Sequence, residues 1–359
     1  MTAVLLLTGL IALVIGAEAL VRGATKLALS LGISPLVVGL TIVALGTSAP
    51  EIAVSVGAAT RGVTDLAIGN VVGSNVLNIL LVLGASALIT PLLVAQQLIR
   101  QEVPIMIGAS LLLFALALDQ NISRMDGFLL VMLLLADIAL LIWQSRRASA
   151  TIKKASGSRS RRPTKAAWDD RVLVQVALVA GGLILLILGA DWFVRGAVKI
   201  AVALGLSELV VGLTIVAFGT SLPEIATSLL AAARGERDLA VGNVIGSNII
   251  NILGCLGLSA LVASDGIPVS TAMLSFDLPV MIAVAVACLP IFFTGNLISR
   301  WEGGVFVAYY CAYTAYIILA AQDHEGSSTF GFVMAWVVIP LTALTLAIIS
   351  YRQLRRRSA

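Results

Sequence analysis

The sequence predicts an all-α, multi-pass membrane protein built from two five-helix repeats of inverted topology, ten core spans in all, plus one extra C-terminal span. Three observations carry this: an apolar composition, an internal repetition and a one-sided distribution of basic residues. Of the 359 residues, 59% are hydrophobic and 12% charged, with a mean hydropathy of +1.05; soluble domains carry about 25% charged residues. The phrase "GLTIVALGTSAPE" at 39–51 returns as "GLTIVAFGTSLPE" at 212–224. The third observation concerns the 23 Lys and Arg, which the predicted connectors sort unevenly.

Taken in order, apolar segments of about 20 residues, enough to span a bilayer, centre near 13, 45, 80, 110 and 134 in a first half, 1–143. The first begins at Met1 with no basic stretch before it and is read as a true span instead of a cleaved signal. The Gly-rich segments are read as spanning or re-entrant. A Ser- and Lys/Arg-rich stretch at 144–171 divides the chain and is expected to be a disordered cytoplasmic linker in contact with anionic lipid headgroups. A second half, 172–321, has segments near 182, 220, 251, 285 and 312; an eleventh lies at 330–350, followed by a basic tail at 351–359.

With the first span running inward, one side holds Arg22, Lys26, Arg100, nine residues between 146 and 171, Arg234, Arg237, Arg300 and the four arginines 352, 355, 356 and 357. The other side holds Arg61, Arg124, Arg195 and Lys199. Basic connectors stay cytoplasmic, so the N-terminus is expected outside, with linker and C-terminal tail inside. The chain lacks a large cytoplasmic insert, which points by analogy to a prokaryotic inner membrane.

Residues 39–78 (α1 motif) align with 212–251 (α2 motif) at an offset of 173 with 28 identities in 40 positions. The match extends back to "GAEALVRGATKLA" (16–28) and "GADWFVRGAVKIA" (189–201), and forward through "EVPIMI" (102–107) and "DLPVMI" (277–282) to "SRMDG" (123–127) and "SRWEG" (299–303). Five spans followed by a cytoplasmic linker set the second copy in upside down, the plan of many secondary transporters, whose binding site lies at the midplane between the repeats.

Gly and Pro around two hydroxyls open a membrane helix, which is tolerated where the break faces protein or a water-filled cavity. Gly46, Thr47, Ser48, Pro50 and Glu51 form one break; Gly219, Thr220, Ser221, Pro223 and Glu224 form its counterpart. The following spans carry "GNVVGSNVLN" (69–78) and "GNVIGSNIIN" (242–251). Ser74 and Asn78, like Ser247 and Asn251, share a helical face at i, i+4. Asn70, Asn75, Asn243 and Asn248 face elsewhere and are expected to brace the backbone; Gly69, Gly73, Gly242 and Gly246 suit close packing. Two carboxylates with amide, hydroxyl and carbonyl oxygens form a hard-cation inventory that suits Ca²⁺, with a subset for Na⁺. A buried carboxylate is costly and by default functional.

The paired GTSxPE and GNxxGSNxxN motifs resemble the α-repeats of the calcium/cation antiporter superfamily, in its sodium/calcium exchanger-like branch, over both halves. The resemblance implies Glu51 and Glu224 as principal Ca²⁺ ligands, and Thr47, Thr220, Ser74 and Ser247 as Na⁺ and Ca²⁺ ligands. It also implies Asn78, Asn251, Ser48, Ser221 and the carbonyls of Ala44 and Ala217, with access alternating as the first span of each half slides. Several relatives carry Asp where this chain has Asn251, including potassium-dependent ones, so Asn favours potassium independence. Relatives usually end after ten spans, so the eleventh inherits no role.

The expected function is Ca²⁺ export in exchange for Na⁺. The alternative is Ca²⁺/H⁺ antiport on the same fold, then a cation channel. Hydrolase and ATP-binding signatures are absent, no enzyme activity, cofactor or nucleic-acid partner is expected, and one histidine, His324, precludes a multi-histidine metal site. Cys255, Cys288 and Cys311 read as buried packing residues. Glu18 with Arg22, and Asp191 with Arg195, read as local i, i+4 ion pairs. Asp137 sits mid-span opposite its repeat partner Tyr313, by default as a buried, hydrogen-bonded acid, with a proton-linked role as the alternative.

Overall fold

The computed structural model describes residues 2–155, 169, 171–203, 217–293 and 296–321. They form α1 (Thr2–Leu31), α2 (Pro35–Thr47), α3 (Ala49–Thr60), α4 (Thr64–Ile89), α5 (Leu98–Asp119) and α6 (Arg124–Ala155). There follow α7 (Val172–Ala203), α8 (Ala217–Thr220), α9 (Leu222–Ala233), α10 (Arg237–Val262), α11 (Leu278–Phe293) and α12 (Arg300–Ala321). Seven of these helices are long and apolar enough to cross a membrane, and α2 with α3, bent by 45°, makes an eighth. The chain is an all-helical, multi-pass membrane protein.

The expected spans near 13, 80, 110, 134, 182, 251 and 312 are these seven; the one near 45 is the bent pair. Near 285 the apolar helix is shorter, and near 220 the described part is α8 and α9. The segment 204–216, most of the linker, the span at 330–350, the tail and His324 lie outside the described residues.

Burial separates centre from periphery. In α10, 89% of the most apolar window is buried and in α4 72%, against 28% in α6 and α7. Peripheral helices turn large apolar side chains outward, such as Leu7, Ile11 and Ile15 on α1 and Leu173 and Ile184 on α7, as expected where lipid tails are the solvent.

Helices α1 and α7 pack antiparallel along their length. Gly9 faces Gly189, Gly16 faces Gly182, and Gly23 faces Gln175 and Val179. A Cβ on Gly16 would stand 2.9 Å from the Gly182 carbonyl oxygen, and one on Gly189 2.8 Å from the Leu13 nitrogen. Glycine every seventh residue lets the two backbones touch, the small-residue packing that replaces hydrophobic attraction inside lipid. Gly242 and Gly246 of α10 pack against the backbone around Leu36 and Leu40 of α2 in the same way. Gly69 and Gly73 meet no described atom within 4 Å.

Two short strand pairs tie the halves at their ends. Leu92–Leu93, after α4, pairs antiparallel with Leu297–Ile298, between α11 and α12; Asn121–Ile122, between α5 and α6, pairs with Ile267–Pro268, after α10.

Three expectations change. The first twelve residues of the linker, 144–155, continue α6, because "QSRRASATIKKA" contains no Gly or Pro and offers good helix formers. Arg147 lies over the Trp143 ring at 4.4 Å. Glu18 and Arg22 both reach across the fold: Glu18 pairs with Arg234, while Arg22 Nε–H donates to Asp169 Oδ2 at 2.7 Å and holds that carboxyl below the usual carboxylate range. The Asp191–Arg195 pair forms locally, at 2.9 Å. Cys255 and Cys288 are buried, but Cys311 is exposed on α12.

Candidate ion-binding site

Each duplicated phrase folds as a broken helix. Between α2 and α3 the helix turns at Ser48 (φ −79°, ψ 4°), and between α8 and α9 at Ser221 (φ −88°, ψ 6°). Pro50 and Pro223 follow in the first turn of the next helix, where a missing N–H costs nothing. Glu51 and Glu224 occupy that same first turn, so each carboxylate sits at the positive end of a helix.

The two breaks meet. Ser48 Oγ–H donates to Glu224 Oε1 at 3.1 Å, and Ser221 Oγ–H donates to Glu51 Oε1 at 2.9 Å, so each carboxylate is held by the serine of the other half. Ser221 Oγ also lies 3.2 Å from Ser74 Oγ. Thr47, Ser48, Glu51, Ser221, Glu224, Ser247 and Asn251 are fully buried; Ser74 and Asn78 are nearly so. Thr220 is partly buried.

The second oxygens tell more. Glu51 Oε2, Glu224 Oε2, Asn78 Oδ1, Asn251 Oδ1 and Ser247 Oγ are all buried without a hydrogen bond from the protein. Buried polar atoms are nearly always partnered, and a set consisting of carboxylate, amide and hydroxyl oxygens is the donor chemistry of a hard cation. Among the described residues no three His, Cys, Asp or Glu cluster as a metal centre.

Three of the remaining asparagines, Asn70, Asn243 and Asn248, brace this set through their side chains; Asn75, expected to do the same, takes part only through its backbone carbonyl, both of its side-chain polar atoms being buried without a partner. Asn70 Nδ2 donates to the Glu51 carbonyl (3.3 Å) and Ser55 Oγ (2.9 Å) and its Oδ1 accepts from Thr220 (3.3 Å). In the other half Asn243 Nδ2 donates to Ser228 Oγ (2.9 Å) and its Oδ1 accepts from Thr47 (3.0 Å). Asn78 Nδ2 donates to Asn248 Oδ1 at 3.1 Å, and Asn248 Nδ2 to the Asn75 carbonyl at 3.3 Å. Asn78 and Asn251 both begin or lie within π-helical stretches, Asn78–Leu83 and Ile250–Leu256, a widening common at functional sites. The Ala44 carbonyl accepts from Ser48 N–H (2.9 Å) and Thr47 Oγ1 (3.3 Å); Ala217 opens α8.

Sequence reasoning passed over Ser55 and Ser228, and read Cys255 only as a packing residue, whereas its thiol also donates to the Glu51 carbonyl at 3.2 Å. Ser55 and Ser228 were within reach of that reasoning. Each lies four residues after a glutamate, on the same helical face.

A buried cluster of oxygens with two carboxylates on broken helices, within a multi-pass membrane protein, defines a membrane ion transporter, not an enzyme. The profile of the sodium/calcium exchanger protein family matches residues 1–143 and 174–319, and the chain belongs to that family. It is 35% identical over 344 residues to the sodium/calcium exchanger MaX1 of Methanosarcina acetivorans, covering 86% of this chain and 96% of MaX1. It is 36% identical over 283 residues to the inner membrane protein YrbG of Escherichia coli K12, covering 79% of this chain and 86% of that one. The structure of the sodium-calcium exchanger NCX_Mj soaked with 2.5 mM Na⁺ and 0.1 mM Ca²⁺ superposes with a TM-score of 0.72 at 32% identity, covering 89% of this chain and 97% of that chain.

Proposed function

We propose that this cation exchanger moves Ca²⁺ out of the cell in exchange for Na⁺ entering, by alternating access at one midplane site. The observation that carries the reading is the crossed pair of hydrogen bonds, Ser48 to Glu224 and Ser221 to Glu51, around two carboxylate oxygens without protein partners. Glu51 and Glu224 are the Ca²⁺ ligands, with Ser48, Ser221, Ser74, Ser247, Asn78, Asn251, Thr47, Thr220 and the carbonyls of Ala44 and Ala217 completing the Ca²⁺ and Na⁺ set. The empty site carries a formal −2, which either one Ca²⁺ or several Na⁺ neutralise, so the same oxygens serve both ions in turn. The names of MaX1 and NCX_Mj support Na⁺ and Ca²⁺ as the exchanged pair.

The architecture proposed is two inverted five-span repeats, 1–143 and 172–321, joined by 144–171 and followed by an extra span at 330–350. The strand pairs support it. Leu92–Leu93 follows the third span of one half and Leu297–Ile298 separates the fourth and fifth of the other; these share a membrane face when the second half is inverted and opposite faces when it is not. Antiparallel packing of α1 on α7 points the same way. The basic-residue asymmetry supports an outside N-terminus with linker and tail in the cytoplasm.

The test is radiolabelled Ca²⁺ uptake into proteoliposomes. Uptake is expected with Na⁺ inside, and not with K⁺ or choline inside. Uptake driven by an acid interior instead overturns Na⁺ coupling in favour of Ca²⁺/H⁺ antiport, and flux without a counter-ion indicates a channel. A second measurement addresses the braces. Asn243→Ala removes the acceptor of Thr47 and the donor to Ser228, a loss of about 1.5 kcal/mol, so the apparent Ca²⁺ affinity is expected to fall by about tenfold. Unchanged affinity in that variant would separate Asn243 from the site.

A further inference from the structure

Outside the transport site, Asp137 departs from the hydrogen-bonded acid expected of it. It is buried on α6 with Oδ1 unpartnered, and a lone oxygen defines no ligand. The charges nearer the surface say more, because the two halves use equivalent ones differently. The repeat alignment pairs Glu18 with Asp191, Arg22 with Arg195 and Arg61 with Arg234. Glu18 lies on α1 and Asp191 on α7. Arg61 directly follows α3, whose first turn carries Glu51, and Arg234 directly follows α9, whose first turn carries Glu224.

The two acids stand in equivalent places and make different bonds. Arg234 Nη2–H donates to Glu18 Oε2 across the fold, between residues 216 apart in the chain. Asp191 Oδ1 instead accepts from Arg195 Nε–H at 2.9 Å, one turn along its own helix. Arg61, the counterpart of Arg234, lies back along α3, its Nη2 3.7 Å from where a Cβ on Gly57 would stand. Among the described residues no carboxylate stands within ion-pair distance of it. Packing is uneven in the same sense. The α1–α7 pair, joined by its glycine contacts, leans on α9 through both helices, whereas its contact with α3 is slight.

We propose that Glu18–Arg234 and Asp191–Arg61 are alternative latches, each tying the α1–α7 pair to the helix that carries one of the two glutamates, and that alternating access exchanges one for the other. The inference rests on the alternating-access reading above and adds the charges that hold each end state. This structure is the state with the Glu18–Arg234 latch made. As the α1–α7 pair moves from α9 toward α3, Glu18 leaves Arg234 for Arg22, the i, i+4 contact that Asp191 now makes with Arg195. Asp191 leaves Arg195 for Arg61. A guanidinium has five N–H donors, so Arg22 serves Asp169 and Glu18 together. Each state then holds one latch and one local pair, charge favours neither, and the bound cation decides between them. The latch side chains are partly exposed, 35% for Glu18 and 57% for Arg234. Exposed ion pairs are weak, which suits a contact that must break in every cycle. On the proposed topology Arg234 is cytoplasmic and Arg61 external, so one latch closes at each face.

The experiment is thiol cross-linking of the reconstituted full chain with a short bifunctional reagent. A Cys311→Ser background removes the exposed thiol and leaves the two buried ones. Glu18→Cys/Arg234→Cys and Asp191→Cys/Arg61→Cys are compared in Ca²⁺, in Na⁺ and with neither ion. Both pairs are expected to cross-link, and a condition that raises one yield is expected to lower the other. Adding Arg61→Gln to Glu18→Cys/Arg234→Cys disables the opposing latch and is expected to raise its yield by about 1.5- to 5-fold; Arg61→Lys is expected to leave it unchanged. Absence of a 61–191 link under every condition overturns the proposal and leaves Glu18–Arg234 a static surface pair. Yields that rise and fall together overturn it too, as does a yield that Arg61→Gln does not move. Reciprocal cross-linking with Ca²⁺ uptake driven by an acid interior would keep the latches and reject Na⁺ coupling. Na⁺-driven uptake with no 61–191 link would keep the exchange reading and reject the latches.

Discussion

Glu51→Gln and Glu224→Gln are each expected to lower Na⁺-driven Ca²⁺ uptake by about 100-fold or more while the protein stays folded in the membrane. Glutamine keeps the shape of glutamate and an oxygen to accept the Ser221 or Ser48 hydroxyl, so the crossed contacts survive. What changes is charge, from −2 to −1 around a divalent ion. At ion-contact distance a carboxylate contributes several kcal/mol even at an effective dielectric near 20, and losing about 3 kcal/mol is a factor of about 100. Because both carboxylates face one site, the double variant is expected to be little worse than either single one, whereas independent sites would multiply their losses. Size-exclusion profiles and thermal melting alongside tracer uptake make the test. Near-normal uptake in both single variants would remove the glutamates from the mechanism.

The second large effect belongs to two adjacent glycines. Gly182→Ala is expected to cost about 1–3 kcal/mol of stability, because its Cβ would meet the Leu20 backbone nitrogen at 2.7 Å and the Gly16 carbonyl oxygen at 2.8 Å. Backbone cannot rotate away as a side chain can, so α1 and α7 must separate. Gly181→Ala, one residue earlier, meets no described atom within 4 Å and is expected to be neutral or stabilising by up to about 1 kcal/mol, the helix-propensity difference between the two residues. Melting temperatures of the two variants in the same detergent decide the matter. Equal destabilisation would mean that α1 and α7 do not touch along this register.

Much of this was written in the sequence. A membrane helix must satisfy its own backbone, so hydropathy and length alone announce the spans. A phrase that breaks a helix with Pro and buries a glutamate twice announces a site, because neither defect is tolerated in lipid without a use. The family followed from the same two phrases. The serines four residues past each glutamate were legible too, through helical periodicity, but only once the glutamates were known to need bracing.

Tertiary structure decided the rest. That Ser48 serves Glu224 and Ser221 serves Glu51, that Glu18 pairs with Arg234 and not solely within its own helix, and that Gly182 is crowded while Gly181 is open all depend on which surfaces meet. Sequence spacing reports neighbours within one helix, three or four residues apart. It carries no information on the register between helices far apart in the chain, and the crossed serine–glutamate contacts exist only in that register.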